Sequence, residues 1–294
     1  MSRIITPLLT AFRRNGEVDY ELMDALVEKI DSFHVDGIFP LGSTGVFPWL
    51  SYDERKRVLS IVREKTKTSI YAGIESSNIK EVIEYGKYAR DLGCEYVVVT
   101  PPYYITPGPD EIGSFFRTAL ESIDLNVFIY NIPQFVGTSI PLQLVENLSR
   151  NFSNLAGVKD SSKDIRYFSR LISMPDRKIK VYQGQDDILL PSLVLGADGG
   201  VCGTSNISDA IVSVRDHFDN GEIKKASEID INVINHFMDL LNSATFPSGY
   251  YYALYRSMGV DGGYRVPMIE PEDAVKKSID RFLRDHELLP GNKR

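Results

Sequence analysis

Eight short apolar segments, spaced almost evenly along 294 residues, constrain this chain more than any other feature. They are IITPLL, GIFPLG, SIYAGI, YVVVT, NVFIY, LAGVKD, IKVYQG and GGVCG. Their ends fall near residues 8, 41, 74, 99, 130, 159, 183 and 202, which leaves gaps of about 33, 33, 25, 31, 29, 24 and 19 residues. One strand, one helix and two short loops need about that length. Eight such units predict a closed α/β barrel, the (β/α)8 or TIM barrel. The strands alternate little between apolar and polar residues, as expected when both faces are covered. A doubly wound open sheet is the competing architecture, but no GxGxxG follows the first strand.

Amphipathic stretches fill the gaps. Asp19 to Phe33 reads as a helix with Leu22, Ala25, Leu26 and Ile30 on one stripe. Ser51 opens SYDE, whose Ser-x-x-Glu spacing fits a capping box. Asn78 to Arg90 reads as another helix. The barrel is expected over 1–221, and 222–294 as a C-terminal helical region packed on it. There, Ile231, Ile234, Phe237, Met238 and Leu241 recur at helical spacing, and Tyr250–Met258 and Asp273–Arg284 read as helices. The closing PGNKR reads as a loose tail.

Charge and cysteine usage exclude several functions. Lys and Arg number 33 against 40 Asp and Glu, a balance of −7, which argues against broad nucleic-acid binding. Cys94 and Cys202 are too few for a disulfide framework or a cysteine-rich zinc site and suit a reducing, cytoplasmic setting. The longest uncharged run, Leu125 to Val145, contains Asn126, Asn131, Pro133, Gln134, Gly137 and Pro141 and makes a poor membrane span. The N-terminal stretch lacks a clean apolar signal core.

In such a barrel the chemistry gathers at the C-terminal ends of the strands. Those ends carry Thr6, Gly42-Ser43-Thr44-Gly45, Tyr103 and Tyr104, Tyr130 and Asn131, Lys159 and Asp160, Gly184 and Gln185, and Gly203-Thr204-Ser205. No histidine or carboxylate cluster offers convergent metal ligands, so metal catalysis is not expected, and no cofactor is needed where a lysine supplies the electrophilic activation. Lys159 is the natural nucleophile. An apolar strand carries it into the barrel mouth, where desolvation disfavours the ammonium form, and a free amine attacks a ketone to form a Schiff base. The plainer reading is a lysine that solvates a strand end. Tyr130 is either core packing with a wet hydroxyl or a proton shuttle beside the amine. The GSTG turn is either a turn alone or an anion cradle of backbone N–H groups and two hydroxyls.

Together these residues are far more specific. The chain resembles the dihydrodipicolinate synthase/N-acetylneuraminate lyase superfamily of pyruvate-dependent class I aldolases along nearly its whole length. The resemblance rests on ITPLLTAF, LGSTGVFPWLS, PPYY at 101–104, YNIP at 130–133 and GVKD at 157–160. It implies an eight-stranded barrel with a helical C-terminal region and a homotetramer built from tight dimers. It also implies that Lys159 forms the Schiff base, that Tyr130 relays protons, and that Ser43 and Thr44 bind the carboxylate of the pyruvyl group. Tyr104 resembles the tyrosine that reaches a neighbouring subunit's site.

Two departures bear on substrate. Synthases of this superfamily typically carry Glu after the GTTG turn, where Val46 stands here, and an arginine two residues after the proline of YNxP, where Phe135 stands. Losing that guanidinium removes a bidentate carboxylate clamp. The GSTGVFPWLS stretch and the C-terminal PSGYYYALYRSMGVDGGYRVPMIEP are more similar to archaeal 2-keto-3-deoxygluconate aldolases. Ile105-Thr106-Pro107-Gly108 supplies no cation for a 6-phosphate, which favours the non-phosphorylated sugar acid. Tyr103, Gln185, Thr204 and Ser205 are the candidates for the sugar hydroxyls. The expected function is therefore cleavage of 2-keto-3-deoxygluconate to pyruvate and glyceraldehyde, with no nucleic-acid or membrane partner. Alternatives are dihydrodipicolinate synthase, an N-acetylneuraminate lyase-like enzyme, a non-catalytic keto-acid-binding barrel, and a phosphate-binding barrel using the glycines of GADGGVCGTSN.

Overall fold

The structure, a computed structural model, describes residues 1–290. Eight parallel strands close into one barrel in chain order: β1 (Arg3–Pro7), β2 (Gly37–Phe39), β3 (Ser69–Gly73), β4 (Tyr96–Val99), β5 (Asn126–Asn131), β6 (Leu155–Asp160), β7 (Lys180–Gln183) and β8 (Gly199–Val201). β8 pairs with β1, Ile4 opposite Gly200, which completes the closure. The eight predicted strands all form. GIFPLG and GGVCG shorten most, to three residues each; after Val201 the chain turns into a 3-10 helix at Gly203–Asn206.

Strand alternation sends one side chain inward and the next outward. Inside, Ile5, Phe39, Tyr71, Val98, Phe128, Tyr130, Tyr182 and Val201 form one buried cluster. Phe128 stacks on Tyr182 with ring centroids 5.1 Å apart, so aromatic rings fill much of the barrel's interior. Outside, Val97, Val99, Val127, Ile129 and Val181 meet the helices in a second, larger core.

The helices begin where local chemistry caps them. α1 (Tyr20–Asp31) starts after Asp19, whose carboxylate accepts from Leu22 N–H at 3.2 Å. The capping box read at SYDE is present on α2 (Tyr52–Lys65). Ser51 N–H donates to Glu54 at 2.8 Å, and Glu54 N–H donates to the Ser51 hydroxyl at 3.3 Å. α3 (Ile79–Asp91) is capped by Asn78. α4 (Pro109–Ser122), a short α5 (Pro133–Val136), α6 (Leu142–Asn151), α7 (Ile165–Ile172), α8 (Leu189–Val194) and α9 (Ala210–Asp219) complete the ring.

Beyond it lie α10 (Ile223–Ile229), a π-helical segment (Asp230–Asn235), α11 (His236–Asn242), α12 (Ser248–Met258) and α13 (Asp273–Asp285). The π-helical segment breaks the stripe expected from residue 231. Ile234, Phe237, Met238 and Leu241 are buried, but Ile231 is turned out to solvent, because i→i+5 bonding changes the angle between successive side chains. Arg265 ties this region to the barrel. Its guanidinium grips Glu54 with bonds of 2.8 and 2.6 Å and holds that carboxyl below its usual range. The tail read at PGNKR lies, apart from Pro290, outside the described residues.

Candidate active site

The C-terminal rims of the strands enclose a cavity of about 230 Å³. Ser43, Thr44, Tyr130, Lys159 and Gln185, all singled out from sequence, meet in its wall. Lys159 and Tyr130 sit side by side in the β5–β6 register. The lysine nitrogen lies 3.8 Å from the centroid of the Tyr130 ring and 4.8 Å from that of Phe39. Only 5% of Lys159 is exposed. Among the described residues no carboxylate forms an ion pair with it.

The neighbouring Asp160 points the other way, as the strand pleat requires. It accepts from Asn131 Nδ2 at 2.7 Å and Ser162 Oγ at 3.0 Å, and burial pushes its carboxyl up to about 6. Asp160 is therefore not the counter-ion that adjacency in GVKD suggests. Close packing also fixes Gly184. A methyl there would meet the Ser161 hydroxyl at 2.0 Å and the Lys159 Cε at 3.1 Å, so only glycine lets the lysine pass.

The Ser43–Thr44 turn is held from several sides. Leu41 and Val46 bracket it in left-handed conformations, φ 65° and 50°. Thr10 Oγ1 donates to Gly45 O at 2.8 Å and Val46 N–H to Ser43 O at 3.1 Å. Strain of this kind in non-glycine residues is maintained at functional sites. Neither hydroxyl of Ser43 or Thr44 has a partner within the protein among the described residues, so both are available to a ligand.

Some expected residues lie elsewhere. Thr204 and Ser205 are buried outside the cavity wall. The 3-10 turn after β8 rotates them beneath it, where Thr204 Oγ1 donates to Asp186 at 2.6 Å and Ser205 Oγ to Thr6 Oγ1 at 2.8 Å. Buried and absent from the cavity wall, neither meets a ligand held there in this conformation. Tyr103 borders an adjoining, mostly apolar cavity of about 220 Å³ that shares Ser43, Ile132, Phe135 and Phe246 with the first. Tyr104 stands 96% exposed at φ 77° and does not line either cavity.

The structure adds residues that sequence inspection passed over. Ser161 reaches the cavity from the turn after β6, with its hydroxyl 3.3 Å from the Tyr130 oxygen and 3.2 Å from Gly184 O. Gln134, Asp186 and Asn242 also line the wall. Asp186 accepts from Gly203 N–H at 2.9 Å and Thr204 N–H at 2.8 Å, joining the β7 and β8 loops, while burial raises its carboxyl above the usual range. Lys163, at φ 64°, brings a cation to the wall from the β6 loop rather than from residues 105–108. A serine two residues after the lysine was the one signal available for this group. Among the described residues no three His, Cys, Asp or Glu side chains gather into a possible metal site, and no helix is long and apolar enough to cross a membrane.

A closed (β/α)8 barrel with a lysine, a tyrosine and a hydroxyl-bearing turn at its mouth is the framework of a lyase, and the chain belongs to the dihydrodipicolinate synthetase family, whose model matches residues 1–286. Among curated relatives, an uncharacterised DapA-like lyase of Thermoplasma acidophilum is 47% identical over 281 residues, covering 95% of this chain and 96% of that protein. The 2-dehydro-3-deoxy-D-gluconate/2-dehydro-3-deoxy-phosphogluconate aldolase of Picrophilus torridus is 43% identical over 261 residues, 89% of this chain and 97% of the relative. The solved 2-keto 3-deoxygluconate aldolase from Picrophilus torridus superposes with a TM-score of 0.90 at 42% identity, covering 92% of this chain and 98% of that one.

Proposed function

We propose that this lyase is a class I aldolase that cleaves 2-keto-3-deoxygluconate to pyruvate and glyceraldehyde through an imine on Lys159. The observation that carries the reading is the Lys159 amine itself, nearly buried, unpaired with any carboxylate among the described residues and 3.8 Å from the Tyr130 ring. Ser43 and Thr44, with the backbone of their turn, receive the substrate carboxylate. Lys159 attacks carbon 2, and loss of water leaves an iminium. That electron sink lets the bond between carbons 3 and 4 break. Tyr130 takes the proton from the carbon-4 hydroxyl, glyceraldehyde departs, and protonation and hydrolysis of the enamine release pyruvate. Gln134, Ser161, Gln185 and Asn242 give the outer wall the hydrogen-bonding character a polyol needs.

Within this reading Tyr104 and Ile105, exposed by 96% and 80%, form part of the surface that a neighbouring copy covers in the homotetramer. The buried, unpaired Cys94 and Cys202 suit a reducing cytoplasm. Phe135 on the wall supplies no clamp for a second carboxylate, which counts against a synthase. Lys163 favours extending the substrate range to the 6-phosphorylated sugar acid, and the Picrophilus relative's name includes that compound.

Two measurements test this. Borohydride reduction with pyruvate should fix a covalent adduct that peptide mapping assigns to Lys159, and an adduct elsewhere or none removes the assignment. A retro-aldol assay on 2-keto-3-deoxygluconate, with and without the 6-phosphate, should release pyruvate. Failure with both, alongside turnover of aspartate semialdehyde or N-acetylneuraminate, overturns the substrate.

A further inference from the structure

The second, mostly apolar cavity has no part in the scheme above. Its wall carries the rings of Phe47, Trp49 and Tyr103 beside Val46 and Val136, and no charged residue among those described lines it. A polyol placed there would leave water and find few hydrogen-bond partners, whereas a hydrocarbon group would gain by burial.

This wall is set before any ligand arrives. Val46 leaves the Ser43–Thr44 turn at φ 50°, and Phe47–Trp49 follow as one 3-10 turn with Pro48 at its centre. The segment that offers hydroxyls to a carboxylate therefore runs straight on into apolar wall. The Arg55 guanidinium lies 5.3 Å from the Phe47 ring centroid, and Tyr103 meets that ring edge-on at 6.1 Å. The Tyr103 N–H donates to Ser77 Oγ, and Ser77 Oγ donates to Tyr103 O, each at 2.9 Å. Phe135, on α5, and Phe246, on the loop before α12, border both cavities and touch with ring centroids 5.5 Å apart. Ser43 borders both as well, so the carboxylate anchor is common to the polar wall and the apolar one. Apolar cavities of about 150 Å³ accept a benzene ring, and this one is about 220 Å³.

We propose that this cavity is a second acceptor site, which seats the hydrocarbon end of an arylalkyl aldehyde while the Lys159 enamine of pyruvate adds to its carbonyl carbon. This rests on the reading of Lys159 given above. Carbon 3 of the enamine forms the new carbon–carbon bond, and the carbonyl π bond breaks toward oxygen. That oxygen takes a proton from Tyr130, in the reverse of the cleavage step. Water then adds to carbon 2 of the iminium, and the carbon–nitrogen bond breaks. The product is a 4-hydroxy-2-oxo acid, and Lys159 is free again. The proton gained by the new hydroxyl balances the one that carbon 3 of pyruvate gave up in forming the enamine, so no further reactant is needed.

Phenylacetaldehyde and acetaldehyde differ only by a phenyl group, and neither carbonyl is conjugated. With pyruvate and the full-length protein, phenylacetaldehyde should yield 4-hydroxy-2-oxo-5-phenylpentanoate with a KM about tenfold or more below that of acetaldehyde. An equal or higher KM, or no product, overturns the proposal. Val136 lines the apolar cavity alone. Val136→Phe should therefore lower kcat/KM for phenylacetaldehyde about tenfold or more relative to that for glyceraldehyde, and a parallel change in both overturns the proposal. Should the variant not fold, the wild type decides through Trp49, the one tryptophan in the sequence. 2-Phenylethanol, which the enamine cannot attack, should change Trp49 emission saturably and raise KM for phenylacetaldehyde more than for glyceraldehyde. Unchanged emission overturns the proposal, as it would if a neighbouring copy filled the cavity. An intact Lys159 adduct without the phenyl preference refutes the acceptor site alone, whereas absence of the adduct refutes the lysine reading as well.

Discussion

Replacing Glu75 by glutamine should shift the stability of the folded protein, relative to the wild type, increasingly in the variant's favour as pH rises from about 4.5 to 8. The carboxyl has an ordinary value of 4.5 in the unfolded chain and is pushed up to about 8 in the barrel by burial. Below 4.5 both states hold the proton, and the group contributes no pH dependence. Between 4.5 and 8 the unfolded chain releases the proton while the folded one keeps it, so rising pH favours unfolding by about 1.4 kcal/mol per unit. Above 8 both states are ionised, and the loss levels off. At pH 7 the interval is 7 − 4.5 = 2.5 units, or about 3 kcal/mol. At pH 9 the whole interval counts, about 5 kcal/mol. Glutamine cannot ionise, and it breaks no hydrogen bond, since the carboxyl oxygens make none. Its own unsatisfied amide costs about 1–3 kcal/mol, equally at every pH. The diagnostic quantity is therefore the divergence of the two curves rather than their offset.

Thermal unfolding of both proteins at about pH 5, 7 and 9 reads that divergence. About 1 kcal/mol moves Tm by roughly 2–4 °C in chains of somewhat smaller size, so the gap should widen by roughly 5 °C or more between pH 5 and 7. Parallel Tm curves across this range would mean that Glu75 titrates as it does in water. The argument from its burial would then be wrong.

The remaining predictions concern the reaction. Tyr130→Phe should lower turnover by about 10²- to 10⁴-fold, the span of a positioned acid–base group, while the pyruvate adduct on Lys159 survives. A rate near that of the wild type removes the proton-relay role. Gly73→Ala should raise KM for the keto acid by about tenfold or more, because its methyl would meet Leu41 O at 2.4 Å and displace the turn that carries Ser43 and Thr44. An unchanged KM in a folded variant shows that the turn does not bind the carboxylate.

Residue by residue, the sequence reading succeeded where the signal is local. IITPLL, NVFIY and LAGVKD announce strands by composition, Asp19, Ser51 and Asn78 announce helix starts by their side-chain oxygens, and all six appear where expected. That Lys159 and Tyr130 reach the barrel mouth is legible for the same reason. Each ends a strand, and a parallel barrel gathers every strand end into one ring. The failures share a different cause. Thr204 and Ser205 also follow a strand, but a 3-10 turn spends their hydroxyls on Asp186 and Thr6. Ile231 fits the helical stripe of its neighbours but lies in a π-helical turn.

By itself, then, the order of residues determined the number of strands, the direction in which they run and the amine at the end of the sixth, because periodicity and capping act over a few residues. Tertiary packing alone decided which hydroxyls face the cavity, that Asp160 turns away from it, that Lys163 reaches its wall and that Glu75 is sealed beneath it without a partner. Burial and charge environment are set by chain segments far apart in sequence, and a glutamate in a loop looks the same on paper whether water or a barrel surrounds it.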